Sequence, residues 1–382
     1  MFDTLVVTTV TRWDEPPRIR HQLTLEMQKY FKNIIFIETP KRTTQSEVRY
    51  KHQLRQVASN IYAYRMPEWY ALPRNIHGLL PVVSRLHQNY VLKTAINLLK
   101  EVASNRAFLF NFNFSDYGVH DKNIFSFSSF ILNDNFIDRV NMRLARYYVK
   151  KKQVQTIRRA DLCLVVSTPL LSQVQKYNEN TALLLPGHNF DCSIEENASL
   201  SFYSNNTRER LRVCFMGYIN YRLELDWIKH VAKHGAIDFY LLGPIELPSK
   251  EIFELKSNGV IFLPSKNGSD LKDFLASCHV LTIPYNVAQK SVQAIEASNK
   301  LFQYIASGRP IVASLMPNLL NLPDYVLTKV NSKEAFLEKI IHVANNDTLK
   351  FYKARLQIAS ENTWEKRGIN VIQLIEQTLN KF

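Results

Sequence analysis

Residues 298–314 (SNKLFQYIASGRPIVAS) constrain the fold more than any other stretch of this 382-residue chain. Ser298 and Asn299 have side chains that suit a helix N-cap, and Gly308 suits the residue just past a helix end. After Pro310, the run Ile311, Val312, Ala313 is too apolar for a strand with a wet face. It predicts a strand covered on both sides, as in parallel sheets with helical crossovers. Lys300 falls in the first turn of the predicted helix, where unpaired N–H groups and the positive dipole end favour a phosphate. The stretch reads either as an ordinary helix–strand unit of an α/β domain or as a seat for a diphosphate.

Three further turns carry the same signature. Val213, Cys214, Phe215 and Met216 form a buried strand that runs into Gly217 and Tyr218, with Arg222 ahead of a helix predicted over 223–234. A glycine turn lets backbone amides approach phosphates, and an arginine adds a bidentate donor. A second strand ends at Gly243 and Pro244, and a third at Pro284 and Tyr285. In the first half, strands are expected near 5–9, 34–38, 61–64, 107–112, 162–166 and 182–185, alternating with helical segments. Residues 192–210 are polar and without periodicity, the best candidate for a linker. Two domains are therefore expected: 1–198 completed by a terminal helix over 363–382, and 208–362.

These four landmarks, in this order, resemble the donor-binding half of bacterial group 1 glycosyltransferases of the GT-B type. The resemblance implies an α/β fold of two Rossmann-like domains facing a cleft, with the C-terminal helix (Trp364, Ile369, Val371, Ile372, Ile375) packed back on the first domain. It implies donor contacts from Gly217, Tyr218, Arg222, Gly243, Tyr285, Asn299, Lys300 and Gln303. His188, in a turn similar to the family's Gly-x-Asp turn, becomes a further donor contact. The implied substrates are a nucleotide diphosphate sugar, UDP-sugar favoured, and a lipid-linked saccharide or glycan acceptor of surface polysaccharide synthesis, capsule or lipopolysaccharide. No cofactor is implied, and the lack of an Asp-x-Asp pair argues against a metal.

Retaining members of the family usually carry glutamate where this chain has Gln303 and a carboxylate where it has Ile295; Glu296 stands one residue away. The missing pair leaves a non-catalytic nucleotide-sugar-binding protein open as the alternative. The spacing of Tyr285, Lys300 and Gln303 is similar to that of the inverting glucuronosyltransferase that extends the xanthan lipid intermediate, which implies inversion and an Asp base. Asp134, after the β-like run 125–132, is favoured narrowly over Asp116, with Asp14 and Glu15 behind. Each of these has an Asx turn or helix cap as its alternative role.

The loop 11–22 should lie at the carboxyl edge of the first sheet, where Asp14, Arg18, Arg20 and His21 can meet an acceptor's phosphate or acid group; a solvated helix start is the alternative. The net charge of +14 calls for an anionic partner, and the excess is larger in residues 1–200, with 26 Lys and Arg against 17 Asp and Glu. No zinc finger, ribonucleoprotein motif or helix-turn-helix supports nucleic acid, a reading that would demand salt-sensitive binding to any strand. An anionic membrane face explains the surplus as well, and so does a solvated basic surface; 69–100 reads as a mixed apolar and basic interfacial surface or a core helix with a charged outer face, and the basic run over 143–159 as a second such surface or a helix's wet side. No leader is read at Met1-Phe2-Asp3, no stretch reaches the roughly 18 apolar residues of a span, and Cys163, Cys192, Cys214 and Cys278 form no Cys-x-x-Cys pair. The expected location is cytoplasmic, peripheral on the inner face of the cell membrane.

Overall fold

The computed structural model describes residues 2–9, 11–15, 17–38, 53–65, 107–113, 124–134, 142–192 and 210–381, with the single positions 86, 90, 93, 94, 97, 98, 137 and 140. The chain divides into two compact units, Met1–Leu185 with Arg367–Phe382, and Pro186–Lys366.

The first unit runs β1 (Phe2–Thr8), α1 (Ile19–Met27), β2 (Phe31–Glu38), β3 (Gln53–Ala58), β4 (Ile61–Arg65), β5 (Ala107–Asn111), β6 (Phe125–Leu132), α2 (Arg143–Arg159), β7 (Leu162–Val165), α3 (Thr168–Val174) and β8 (Thr181–Leu183). Its sheet has the order β3-β4-β2-β1-β5-β6-β7-β8. Every pairing is parallel except the β3–β4 hairpin. The central strands are buried along nearly their whole length, which is why they read as continuous apolar runs. Strand β3 (QLRQVA) was not expected: it mixes polar and apolar residues and lies at the sheet edge.

The second unit runs β9 (Leu211–Met216), α4 (Leu225–Ala232), β10 (Ile237–Leu242), α5 (Ser249–Ser257), β11 (Val260–Leu263), α6 (Gly268–Ala276), β12 (Val280–Ile283), α7 (Lys290–Gln293), α8 (Leu301–Ala306), β13 (Ile311–Ser314), β14 (Leu327–Val330), α9 (Lys333–Asn345), α10 (Leu349–Ser360) and the start of α11 (Trp364–Leu379). All its strands pair in parallel, in the order β11-β10-β9-β12-β13-β14. The chain first winds outward from β9 through β10 and β11, then returns to β12 on the other side. The carboxyl ends of β9 and β12 therefore flank a topological switch point, the place where open α/β sheets bind ligands. From Arg367 onward α11 belongs to the first unit, and Gly368 lets it approach α1, since a Cβ there would lie 3.0 Å from Glu26 Cβ.

Helix α8 has six residues, too few to be stable alone. Its far end is held by α10. Gly308 takes φ +74, donates its N–H to the Ile305 carbonyl at 3.0 Å, and leaves room for the Tyr352 ring, which a Cβ would meet at 2.2 Å. Arg355, fully buried, donates from Nε to the Gly308 carbonyl (2.7 Å), from Nη1 to the Tyr325 carbonyl (2.6 Å), and from Nη2 to both carboxylate oxygens of Asp347 (2.7 and 2.5 Å). Arg355→Met leaves Asp347 without its counter-ion and two carbonyls without their donor, so a loss of about 3–5 kcal/mol in chemical denaturation is expected. The double change with Asp347→Leu should recover part of it. A loss under about 1 kcal/mol for the single change would show that α8 is anchored by other means.

Candidate active site

Gly217 directly follows β9 and Gly243 directly follows β10, with φ of +137 and +138. These values are open to glycine and strained for other residues. The two turns lie backbone against backbone: Gly217 donates its N–H to the Leu242 carbonyl at 2.9 Å, and a Cβ on Gly243 would fall 2.4 Å from the Gly217 carbonyl oxygen. A Cβ on Gly217 would fall 2.8 Å from Lys300 Nζ, so the missing side chain makes the space that the ammonium occupies.

Lys300 is 7% exposed. Its Nζ donates to the Tyr285 hydroxyl at 2.8 Å, lies 3.9 Å from the centre of the Phe215 ring and 4.8 Å from that of Tyr285. No carboxylate of the described residues forms an ion pair with it, and the nearby charge that acts on it from Arg222 has the same sign. Burial lowers its pKa most strongly, Tyr285 works in the opposite direction, and Arg222 depresses it further. An ammonium held by two π-faces and a phenol keeps its capacity for an anion. Arg222 is half-buried in the turn after Gly217, its carbonyl accepting from the Asn286 N–H at 2.7 Å, and its guanidinium makes no hydrogen bond to a described residue.

The switch point thus gathers Gly217, Arg222, Tyr285 and Lys300 around one position, with Gln303 half-buried one turn along α8 and Tyr218 exposed beside the turn. Two residues that the sequence did not mark as part of the site support the arrangement. Phe215 is the floor under the ammonium. Tyr304, fully buried, accepts the Met216 N–H at 2.6 Å and ties α8 to the end of β9; burial holds its pKa well above the usual phenol value. Their signal in the sequence is position alone, one beside the glycine turn and one on the lysine helix.

Two expectations are corrected. The helix begins at Leu301, and Lys300 occupies the cap position with helical dihedrals of −88° and −19°. No side chain caps the helix: the Ser298 hydroxyl is buried without a hydrogen-bond partner, only its carbonyl accepting the Leu301 N–H at 2.9 Å, and Asn299 is exposed. His188 is 1% exposed, with Nε2 donating to the Ala359 carbonyl (2.9 Å) and Nδ1 accepting the Phe190 N–H (3.1 Å). Its backbone brackets Asn362 and Trp364. Nε2 binds α10 and Nδ1 closes the loop of His188 itself, so both ring nitrogens are engaged in packing within the second unit.

In the first unit the polar residues gather at the ends of β1 and β5, where its winding also reverses. Thr8 donates to Asn111 Oδ1 at 2.9 Å, and that oxygen also accepts the Asn113 N–H at 2.7 Å. Arg20 is 4% exposed and donates from Nη1 to Thr9 Oγ1 at 3.2 Å. His21 accepts the Arg18 N–H on Nδ1 (3.1 Å), donates from Nε2 to the Arg12 carbonyl (2.9 Å) and stacks on Phe36. Burial lowers its pKa, so the ring closes the loop as a neutral group. Asp14 is bound by Arg55 (2.8 Å) and Arg65 (2.7 Å), and the same two arginines meet the fully buried Glu38 at 3.2 and 2.8 Å. Burial pushes the Asp14 carboxyl up, but the arginines outweigh it and hold it below the usual carboxylate range. Asp14 is thereby a poor base. Arg18 is half-buried, 4.0 Å from Glu15. Asp134 lies two residues past β6, half-buried, while Asp116 and most of 69–100 lie outside the described residues.

Residues 210–346 match the family described as Glycosyl transferases group 1. A search of curated proteins finds no significant match. Among solved structures the chain is similar to a sucrose-phosphate synthase from Thermosynechococcus elongatus (TM-score 0.67, 13% identity, 100% of both chains covered). It is similar to an α,α-trehalose-phosphate synthase (UDP-forming) from Burkholderia xenovorans in complex with glucose-6-phosphate (TM-score 0.65, 12% identity, 98% of this chain and 100% of the other). It is also similar to HepE of Anabaena in complex with UDP (TM-score 0.65, 14% identity, 100% of both). Identities this low speak to fold, while the family match encloses Gly217, Arg222, Gly243, Tyr285, Lys300 and Gln303. The chain has the GT-B glycosyltransferase fold, and residues 210–346 of its second unit match the group 1 glycosyltransferase family.

Proposed function

We propose that the chain moves a sugar from a nucleotide diphosphate sugar to a lipid-linked or polysaccharide acceptor in bacterial surface polysaccharide synthesis, at the inner face of the cell membrane. The observation that carries the reading is the Lys300 ammonium, buried without a carboxylate over Gly217 at the switch point. As the bond to the sugar breaks, negative charge grows on the departing diphosphate, and Lys300 and Arg222 are the groups placed to stabilise it. The two glycine turns supply the close backbone approach. UDP is the favoured nucleotide, supported by the UDP bound in HepE and the UDP-2-fluoro glucose bound in a similar solved structure from E. coli.

Gln303, in place of the retaining family's glutamate, favours inversion with an Asp base, and Asp134 is the first candidate, Asp116 the second. In the first unit, Arg20 with Thr9 and Asn111 is the set proposed for the acceptor, in place of His21 and Asp14. Calorimetric titration with UDP, GDP, ADP, dTDP and CMP should find one nucleotide bound tightly with or without magnesium. Binding of none of them overturns the proposal. Asp134→Asn should bind the nucleotide as the wild type does and lose roughly 10²–10⁴ in turnover. Full turnover in both Asp134→Asn and Asp116→Asn rules out an Asp base at these positions, and no turnover in the wild type with any glycan acceptor favours the non-catalytic reading.

A further inference from the structure

We propose that the N-terminal half of α2, with Met142 just before it, is a docking surface for an anionic lipid bilayer; the inference rests on the membrane-side part of the function proposed above. Helix α2 (RLARYYVKKKQVQTIRR) contains no acidic residue in its 17 positions. Arg143, Arg146, Lys150, Lys151, Arg158 and Arg159 are all exposed, and none forms an ion pair with a described residue. The other side of the helix is buried through Ala145, Gln153, Thr156 and Ile157, and Ile157 joins a core cluster with Phe130, Leu132 and Val165.

Between the exposed cations stand Met142, Leu144 and Tyr147, exposed by 54, 58 and 61%. Residues three and four apart share a helix face, so Arg143, Tyr147, Lys150 and Lys151 form one stripe with Leu144 at its margin. A helix that only needs to stay wet gains nothing from a leucine and a tyrosine in water, and its cations are usually interleaved with acids. A polyanion such as RNA satisfies the charges and leaves Met142 and Leu144 without a partner. An anionic bilayer satisfies both sets, the cations at the headgroups and the apolar side chains at the acyl boundary. The surface lies in the half of the sequence with the larger positive excess.

The test is flotation of the full chain with vesicles of phosphatidylglycerol in phosphatidylcholine, against phosphatidylcholine alone, with UDP calorimetry on the same preparations. The wild type should float only with the anionic vesicles. Replacing Arg143, Arg146, Lys150 and Lys151 by Gln should weaken partition more than about tenfold, given that each cation contributes about fivefold at such a surface. Leu144→Ser with Tyr147→Ser should weaken it at high salt, where charge is screened, and leave UDP binding intact. A wild type that binds UDP and does not float overturns the docking surface and leaves the transferase reading standing. Flotation without binding of any nucleotide does the reverse. Binding to oligonucleotides that is indifferent to the Leu144 and Tyr147 changes, together with no flotation, assigns the face to nucleic acid and overturns the proposal.

Discussion

Lys300→Met is expected to abolish nucleotide binding and leave the protein as stable as the wild type or more so. The two effects separate because they come from different parts of the side chain. The stem fills the space beside Phe215, and methionine replaces it at nearly the same volume. The ammonium is a buried charge without a carboxylate, which costs the folded state free energy. In the proposed reaction it faces the charge of the leaving diphosphate, where loss of one such donor costs about 2.7–4 kcal/mol, a factor of 10²–10³ in turnover.

The pH dependence follows from the lowered pKa of Lys300. The unfolded chain holds this proton more tightly than the folded one, so the charge destabilises the fold below the folded pKa. That cost is relieved as pH rises through the folded pKa towards the ordinary lysine value of about 10.4. Nucleotide affinity should fall over the same alkaline window, and Lys300→Met should remove this component of both profiles. Calorimetry and thermal melts from neutral to alkaline pH give the answer. A large drop in Tm with nucleotide binding retained would make Lys300 a structural residue and overturn the site.

The second large effect is a crossed pair. Gly243→Ala should cost the fold more than about 3 kcal/mol, since its Cβ meets a backbone oxygen at 2.4 Å that cannot move without opening the β9 turn. Gly217→Ala places its Cβ against Lys300 Nζ, the free end of a long side chain, which can swing away. Its stability loss should stay near the strain of a non-glycine residue at positive φ, about 1–3 kcal/mol. The displaced amine then leaves the position over Phe215, and nucleotide affinity should fall as far as in Lys300→Met. Denaturant titration ranks the first effect and calorimetry the second. A Gly217→Ala protein that binds like the wild type would show that the glycine does not fix the amine.

The second unit was largely legible in its residues, and the reason is physical. Parallel strands covered on both faces must be continuous apolar runs, and turns at positive φ that leave a strand or end a helix favour glycine, so β9, β10, β12 and β13 with Gly217, Gly243 and Gly308 stand out in one dimension. What escaped depends on partners far away in sequence. The fate of His188 is set by the Ala359 carbonyl, 171 residues on, and that of Asp14 by Arg55 and Arg65, 41 and 51 residues on. The start of α8 escaped for a local reason: Ser298 and Asn299 have the right side chains for a cap, but the cap position falls on Lys300, whose dihedrals are already helical. Along edge strand β3 residues 54–58 are exposed or half-buried and none is buried, so no apolar run marks it in the sequence.

Lys300 is carried by six helical residues whose far end is closed by Tyr352 and Arg355 of α10. The accuracy of the site is therefore a remote property, set by an arginine that no substrate need touch. Sequence drift in α10 would erode catalysis without altering any group that meets the nucleotide. On gentle warming, release of α10 would silence the enzyme while the sheet beneath it still stood, so lifetime as a catalyst and lifetime as a folded chain become two separate quantities.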